Sequence, residues 1–190
     1  MTTSDKPIRA DARRNRESLL VAATTLFAEA GTDVSLEAIA KRAGVGIGTL
    51  YRHFPTREQL VVAAYQSEVE HLCEAADELL AAHEPDVALE AWMERFVGYV
   101  AAKRGMSGVL GQVVASGSQV PTKGREQIVE AIGRLLHAGQ AAGTIRSDLD
   151  AGDVMRAMSP IWLMSETPGW GEQAHTLRRL LIDGLRAGAG

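Results

Sequence analysis

The stretch that decides the fold is AGVGIGTLYRHF, residues 43–54, in which three glycines spaced two apart precede an aromatic and basic run. Two structures contain such a stretch: a glycine-rich loop that holds a nucleotide phosphate, and the turn and second helix of a DNA-reading motif. A dinucleotide loop has the pattern G-x-G-x-x-G between a strand and a helix. Here the third glycine, Gly48, comes one residue early, and the preceding SLEAIAKRA has helical periodicity. A nucleotide-binding enzyme that uses residues 44–48 is therefore the weaker alternative.

The same stretch fits two short helices joined by a turn that contains glycine. Ser35 is suited to cap the first helix, and Gly44 is suited to end it with a positive φ. Apolar residues at helical spacing would form its inner face: Leu36, Ile39, Ala40 and Ala43. Pro55 ends the second helix, because the residue before a proline is pushed out of the helical region. We expect Leu50 and Phe54 to face inward.

The composition favours an all-α protein with a substantial core. The 190 residues are 46% hydrophobic and include only six prolines, and the many unbranched side chains lose little rotamer freedom in a helix. Cys73 is alone, so an internal disulfide is excluded and a small structural residue is expected. No apolar run approaches the roughly 20 residues that cross a bilayer, which predicts a cytoplasmic protein without membrane association.

Apolar periodicity predicts about nine helices. Residues 1–12 are expected to form a flexible arm, and a helix at 13–30 joins the two short ones in an N-terminal three-helix head. A long helix from 56 to about 82, opened by Thr56 and Gln59 at capping-box spacing, links the head to the body. The remaining helices are predicted at 86–103, 107–116, 124–141, 150–165 and 172–187. The predicted domains are therefore 1–58 and 59–190.

Charge is distributed unevenly along the chain, whose net charge is −4. Residues 1–60 contain nine Lys or Arg and seven Asp or Glu, whereas residues 61–190 contain eleven and seventeen. A mildly basic head on an acidic body favours nucleic-acid binding by the head alone. It argues against a DNA-binding architectural protein without an effector, which is the second alternative.

The segment SLEAIAKRAGVGIGTLYRHFPTREQL, residues 35–60, resembles the DNA-binding signature of the TetR family of bacterial repressors. The resemblance is specific over about residues 13–65, and the rest of the chain is similar to the family in helix number and order. It implies a helix-turn-helix DNA-binding domain followed by a ligand-binding and dimerisation domain. The implied partners are a second copy of the chain, a palindromic double-stranded DNA operator and a small-molecule effector, with no cofactor.

The resemblance also implies which residues contact DNA. Tyr51 and His53 match positions that usually touch phosphates, and Thr49 matches one that approaches base edges or the backbone. Arg57 matches a basic phosphate contact, and Ser35 would offer its hydroxyl and neighbouring amides to a phosphate. The alternatives are structural. Tyr51 would pack among the three helices, His53 would be an ordinary exposed histidine, and Arg57 would be a solvated cation.

Two residues of the signature depart from the family pattern. Gly46 replaces the usual serine cap, a change that typically costs a few tenths of a kcal/mol, and Ile47 replaces what is often a polar residue. An isoleucine can contact a thymine methyl group, and Gly48 lets the backbone approach the bases. Base readout is therefore expected to depend on apolar contact, on Thr49 and on DNA shape.

Basic residues at the start of the chain are suited to phosphates or to a narrow minor groove. They are Lys6, Arg9, Arg13, Arg14 and Arg16, of which Arg13 and Arg14 are the predicted contacts. A tail that only aids solubility is the alternative.

Two apolar stripes near the end of the chain are the predicted dimer interface. One short reading helix covers only a few base pairs, so two heads about 34 to 36 Å apart are needed. Paired about a two-fold axis, the stripes would form a four-helix bundle, as the resemblance implies. Packing within one chain is the alternative. The stripes contain Val154, Met155, Met158, Ile161, Trp162, Leu177, Leu180, Leu181 and Leu185.

The resemblance further implies an effector cavity in the body, lined by large apolar side chains. The candidates are Trp92, Met93, Phe96, Tyr99, Met106, Leu110, Val113, Met158 and Trp162. By spacing alone, such a stripe fits an ordinary core equally well. The nearby run RGMSGVLGQVVASGS is rich in small residues, which leaves space for a cavity or for close helix packing.

The sequence contains none of the patterns that would indicate an enzyme or a metal centre. There is no Ser, His and Asp ordering, no H-E-x-x-H motif, and no ligand cluster among the five histidines. Catalytic activity and a bound metal are therefore not expected.

Overall fold

The computed structural model describes residues 5–117, 123–163 and 169–188. Regular structure in these ranges is entirely helical, which confirms the all-α prediction. Eight helices follow one another: α1 Asp5–Ala30, α2 Leu36–Arg42, α3 Ile47–His53, α4 Arg57–Ala82, α5 Pro85–Ala115, α6 Gly124–Ala141, α7 Ala151–Leu163 and α8 Trp170–Arg186. None of the helices in these ranges combines the length and apolar character that crossing a membrane requires.

The first three helices pack against one another around a small apolar core. Its members are at most 3% exposed: Leu19, Leu20, Ala23, Phe27, Ile39, Ala40, Leu50 and Phe54. Leu50 and Phe54 are the α3 side chains that the sequence predicted to face inward, and that prediction is confirmed. The other side of α3 is consequently turned to solvent.

The turn between α2 and α3 has the predicted geometry. The Ser35 hydroxyl caps α2 by accepting the Ala38 N–H at 3.1 Å. Gly44 has a φ of 71°, the left-handed conformation expected at the end of α2. The N–H groups of Gly44 and Val45 then donate to carbonyls of the last turn of α2, at 3.2 and 3.0 Å. These bonds satisfy carbonyls that the helix end would leave open and direct the chain into α3.

The first helix begins earlier than the sequence predicted. The backbone is helical from Asp5, so the prediction of a flexible arm over residues 1–12 is wrong for residues 5–12. Pro7 does not prevent this, because the N–H groups of a first helical turn have no partner within the helix. Met1–Ser4 and the side chains up to Arg9 lie outside the part of the chain that the structure describes.

Helix α5 is also longer than predicted. The helices expected at 86–103 and 107–116 form one continuous helix, so the described ranges contain eight helices rather than about nine. No proline interrupts this segment, and Gly105 has a packing role in it. A Cβ atom on Gly105 would overlap the backbone carbonyl of Phe27 in α1. The glycine therefore allows α5 and α1 to approach backbone to backbone.

The described chain forms two compact units. One contains residues 5–67 and 102–117, and the other contains residues 68–101, 123–163 and 169–188. Helices α4 and α5 each contribute to both units. The boundary between the predicted domains 1–58 and 59–190 lies near the start of α4. The division into these two domains stays a prediction.

In the second unit, α8 is held to the first half of α5 by ion pairs. Arg178 lies 3.0 Å from Glu90 and 2.9 Å from Glu94, and Arg186 lies 2.8 Å from Asp86. The hydrogen bond from Arg178, joined by that from Arg186, holds the pKa of Glu90 below its usual value despite partial burial. The Arg178 side chain is only 15% exposed, so these pairs are less screened than ordinary surface pairs.

Replacing Gly105 with alanine is expected to destabilise the protein. The added methyl group would push against the Phe27 carbonyl, and such overpacking costs about 1 to 3 kcal/mol. The matched control is Gly108→Ala in the same helix, where a Cβ atom would meet nothing within 4 Å. The control should be neutral or slightly stabilising, because alanine favours helix. Urea unfolding followed by circular dichroism measures both, and equal stability of the two variants would contradict the close approach.

Candidate nucleic-acid interface

The candidate interface is the solvent-facing side of α3. Because successive residues of a helix are about 100° apart, a residue two positions from Leu50 or Phe54 lies about 200° from the buried side. Arg52 has this relation to both, so it lies near the centre of the exposed side. Gly48 and Tyr51 are exposed beside it, and Tyr51 is 47% exposed.

The structure brings most of the predicted contact residues to this side or to its edge. Tyr51 points outward, which excludes the alternative that it packs among the three helices. His53 is half-buried, and its ring centroid lies 6.2 Å from that of Phe54. Ile47 and Thr49 are half-buried, and Gly46 is the exposed N-cap residue, without a side-chain cap. Their contacts with DNA stay predictions.

The other predicted contacts lie on α1 and at the start of α2. Ser35 is exposed, and because its hydroxyl oxygen accepts the Ala38 N–H, the hydroxyl proton can be donated to a phosphate. Arg13 is exposed, and Arg14 forms an exposed ion pair with Asp11. These three side chains are therefore at the surface of the head.

Two arginines of the head have structural contacts that the sequence did not indicate. The guanidinium carbon of Arg16 lies 5.5 Å from the ring centroid of Phe54, which links α1 to the end of α3. Arg57 donates from Nη1 to the carbonyl oxygens of Thr32 at 2.5 Å and Val34 at 2.7 Å. Arg57 is half-buried, so the alternative of a solvated cation is wrong, and its phosphate contact stays a prediction.

Sequence reasoning missed Arg52. Its Nη2 donates to the Thr49 hydroxyl oxygen at 2.9 Å, and its Nε donates to the Gly48 carbonyl oxygen at 3.3 Å. The available signal was the spacing, since residues three and four apart are neighbours on a helix surface. The long side chain therefore lies along the outward face of α3.

The predicted effector-lining side chains are almost all buried. Trp162 is half-buried, and the other eight are at most 9% exposed. Trp92 donates its indole N–H to the Leu72 carbonyl oxygen at 2.7 Å and stacks on Phe96 with ring centroids 5.9 Å apart. Met106, Leu110 and Val113 belong to the unit that contains the head, and the other six belong to the second unit. Their role in ligand binding stays a prediction.

The predicted dimer residues fall into two groups. The side chains of the first group are buried within the chain, at most 5% exposed, and so have little surface to offer a partner: Val154, Met158, Ile161 and Leu185. Packing within one chain, the alternative, accounts for these four. The second group is partly or fully exposed: Met155, Trp162, Leu177, Leu180 and Leu181. Leu163, which the sequence did not single out, is 76% exposed.

No metal site accompanies these surfaces in the ranges that the structure describes: they contain no group of three or more His, Cys, Asp or Glu side chains that could hold an ion. Cys73 is half-buried on α4, and burial raises the pKa of its thiol. Cys73 belongs to the second compact unit, whereas α3 belongs to the first.

Comparison with known families agrees with this arrangement. The model of the family described as bacterial regulatory proteins, tetR family, matches residues 19–64. The model described as the C-terminal domain of SbtR-like transcriptional regulators matches residues 84–187, more than half of the chain. The two matches cover most of the head and most of the rest of the chain.

Individual proteins are similar to the chain over different lengths. A helix-turn-helix transcriptional regulator of Staphylococcus aureus is 39% identical over 64 residues, which cover 33% of this chain and 35% of that relative. The solved structure of a TetR regulator from Streptomyces coelicolor is 47% identical to the chain and has a TM-score of 0.85. The match covers 92% of this chain and 99% of that one. The solved structure of a TetR protein from Mycobacterium vanbaalenii is 36% identical to the chain and has a TM-score of 0.76. The match covers 95% of this chain and 100% of that one. The chain therefore belongs to the TetR family of bacterial transcriptional regulators.

Proposed function

We propose that this chain is a sequence-specific repressor that binds a palindromic operator as a homodimer and is released by a small-molecule effector. The observation that carries the proposal is the outward face of α3. A short helix on a three-helix head presents Tyr51 and Arg52 to solvent, and the buried Leu50 and Phe54 fix its rotation. A helix presented in this way fits the major groove of DNA.

Phosphate contacts around α3 would position the head on the duplex. The Tyr51 and Ser35 hydroxyls and the His53 ring can each donate a hydrogen bond to a phosphate oxygen. Arg13 adds an exposed positive charge in the first half of α1. Such contacts give affinity without sequence information, so specificity must come from side chains that reach the bases.

The dimer interface that we propose is the exposed apolar surface of α7 and α8. An open groove of about 250 Å³ lies there, and Ala157, Leu180, Leu181 and Gly184 are among its lining residues. Leu180 is 64% exposed and lines this groove, and a contiguous exposed apolar surface is typical of interaction sites. Pairing of this surface with a second copy would bury Leu180 in a four-helix bundle.

The effector would act through linkage between two conformations of the dimer. A ligand that binds better when the heads are splayed from the operator spacing must weaken operator binding by its own difference in affinity. The continuous helices α4 and α5, which contribute to both compact units, are the mechanical links that we propose.

Operator binding should depend on the outward residues of α3. In the double variant Tyr51→Phe, His53→Ala, each of the two heads would lose two phosphate hydrogen bonds. At about 0.5 to 1.5 kcal/mol per bond, operator binding by the dimer should weaken by a factor of about thirty or more. The control is His83→Ala, since His83 is exposed at the end of α4. Operators are first selected from random DNA and titrated by fluorescence anisotropy. Undiminished binding by the double variant contradicts the proposal, and sequence-blind coverage of DNA would indicate an architectural protein.

Dimerisation should depend on Leu180. In Leu180→Asp a charge would be placed in the apolar interface, so the mass in analytical ultracentrifugation should fall from two chains towards one. Val114→Asp is the matched control, because Val114 is 61% exposed and lies on α5 outside the proposed interface. The control should remain dimeric. A Leu180→Asp protein that stays dimeric at micromolar concentration would place the interface elsewhere.

Effector and operator should compete through a coupling free energy. Compounds from a small-molecule library that release a labelled operator are titrated against free and operator-bound protein. Coupling is typically 1 to 3 kcal/mol, so both affinities should change by the same factor, roughly 5- to 150-fold. If a compound binds free and operator-bound protein equally tightly, it does not release the repressor through linkage.

A further inference from the structure

We propose that Arg52 reads a guanine in the major groove of the operator and that Thr49 positions it for this contact. The inference rests on the proposed function, because it concerns the same α3 surface, and it assigns the base that this surface recognises. Arg52 lies about 200° around the helix from both Leu50 and Phe54, which are buried in the head. When α3 enters a groove with its outward side first, Arg52 is the side chain nearest to the base edges.

The guanidinium group is held in place before any DNA binds. Nη2 donates to the Thr49 hydroxyl oxygen at 2.9 Å and Nε donates to the Gly48 carbonyl oxygen at 3.3 Å. These two bonds use two of the five N–H donors of an arginine, and three remain for another partner. The restrained side chain has less conformational entropy to lose on binding, which favours a specific contact.

The charge of Arg52 is not neutralised on the head. Its partners are a hydroxyl and a carbonyl, and within the described ranges no carboxylate pairs with it. The other engaged arginines of the head are less available to a new acceptor. Arg14 pairs with Asp11, Arg16 lies over the Phe54 ring, and Arg57 is half-buried against two carbonyls. Arg52 is therefore the exposed guanidinium of α3 that remains available to an acceptor of high electron density.

The α3 residues Ile47 and Gly48 have no side-chain group that could donate a hydrogen bond to a base. Ile47 has an apolar side chain, and Gly48 has none, with nothing within 4 Å of the place where a Cβ atom would be. The absent side chain leaves room for the arginine stem close to DNA. In the major groove guanine presents the acceptors N7 and O6, which match two parallel N–H groups of an arginine. The Thr49 hydroxyl, while accepting from Arg52, can donate its own proton to an adjacent base.

The test is selection of bound sequences from random duplex DNA by the full-length protein and four variants. Arg52→Ala removes the hydrogen-bond donors. Arg52→Lys keeps the charge but removes the planar pair of N–H donors that makes a bidentate contact. Lys41→Ala is the matched control, since it removes an exposed cation at the end of α2. Circular dichroism confirms that each variant is folded. Salt titrations then separate phosphate contacts from base contacts, because the loss of a phosphate contact reduces the salt slope by about one.

The wild type and Lys41→Ala should select a half-site with the same required guanine. Both Arg52 variants should lose roughly ten- to a hundredfold of the preference for that guanine over other bases. Thr49→Val should lose part of it. If both Arg52 variants keep the preference, the guanine contact is refuted, and if Arg52→Lys alone keeps it, the bidentate arginine contact is refuted. A uniform loss of affinity across all sequences would refute it in favour of a phosphate contact. If the wild type selects no sequence, the proposed function itself fails.

Discussion

The burial of Leu50 and Phe54 in the head is the constraint on which the functional surface depends. Both side chains are at most 3% exposed, and burying two such residues is worth about 3 to 6 kcal/mol. That gain is available in only one rotation of α3 about its axis. The same rotation turns Gly48, Tyr51 and Arg52 outward. The position of the proposed DNA-binding surface is therefore a consequence of core packing.

Rotation alone does not fix α3, because a helix of seven residues also needs its ends held. At the start, the turn through Gly44 closes with hydrogen bonds to α2, which limits the angle between the helices. Below it, Arg57 is bonded to the carbonyls of Thr32 and Val34 and so joins the start of α4 to the loop between α1 and α2. Arg16 and Phe54 join α1 to the end of α3. A short helix is thus presented as a rigid element.

The sequence predicted the parts of this arrangement that depend on local chemistry. The Ser35 cap, the left-handed Gly44 and the stop before Pro55 follow from neighbouring residues, and each is observed. Contacts between distant parts of the chain were beyond it. The carbonyls that bind Arg57 lie 23 and 25 residues away, so the sequence indicated only a phosphate contact or, as the alternative, a solvated cation. The gap expected between the helices at 86–103 and 107–116 includes Gly105, whose close partner Phe27 is likewise distant in sequence and lies on another helix.

In the second compact unit, as in the head, the packing of one side of a helix determines which side is exposed. On α8, Leu180 lies two positions from both Arg178 and Ile182, and hence about 200° from each. Arg178 is paired with Glu90 and Glu94 on α5, and Ile182 is 1% exposed, so together they fix the rotation of α8. That rotation leaves Leu180 pointing away from its own chain. A charged contact and a buried side chain therefore determine which apolar face of α8 is exposed, just as buried residues determine which polar face of α3 is exposed.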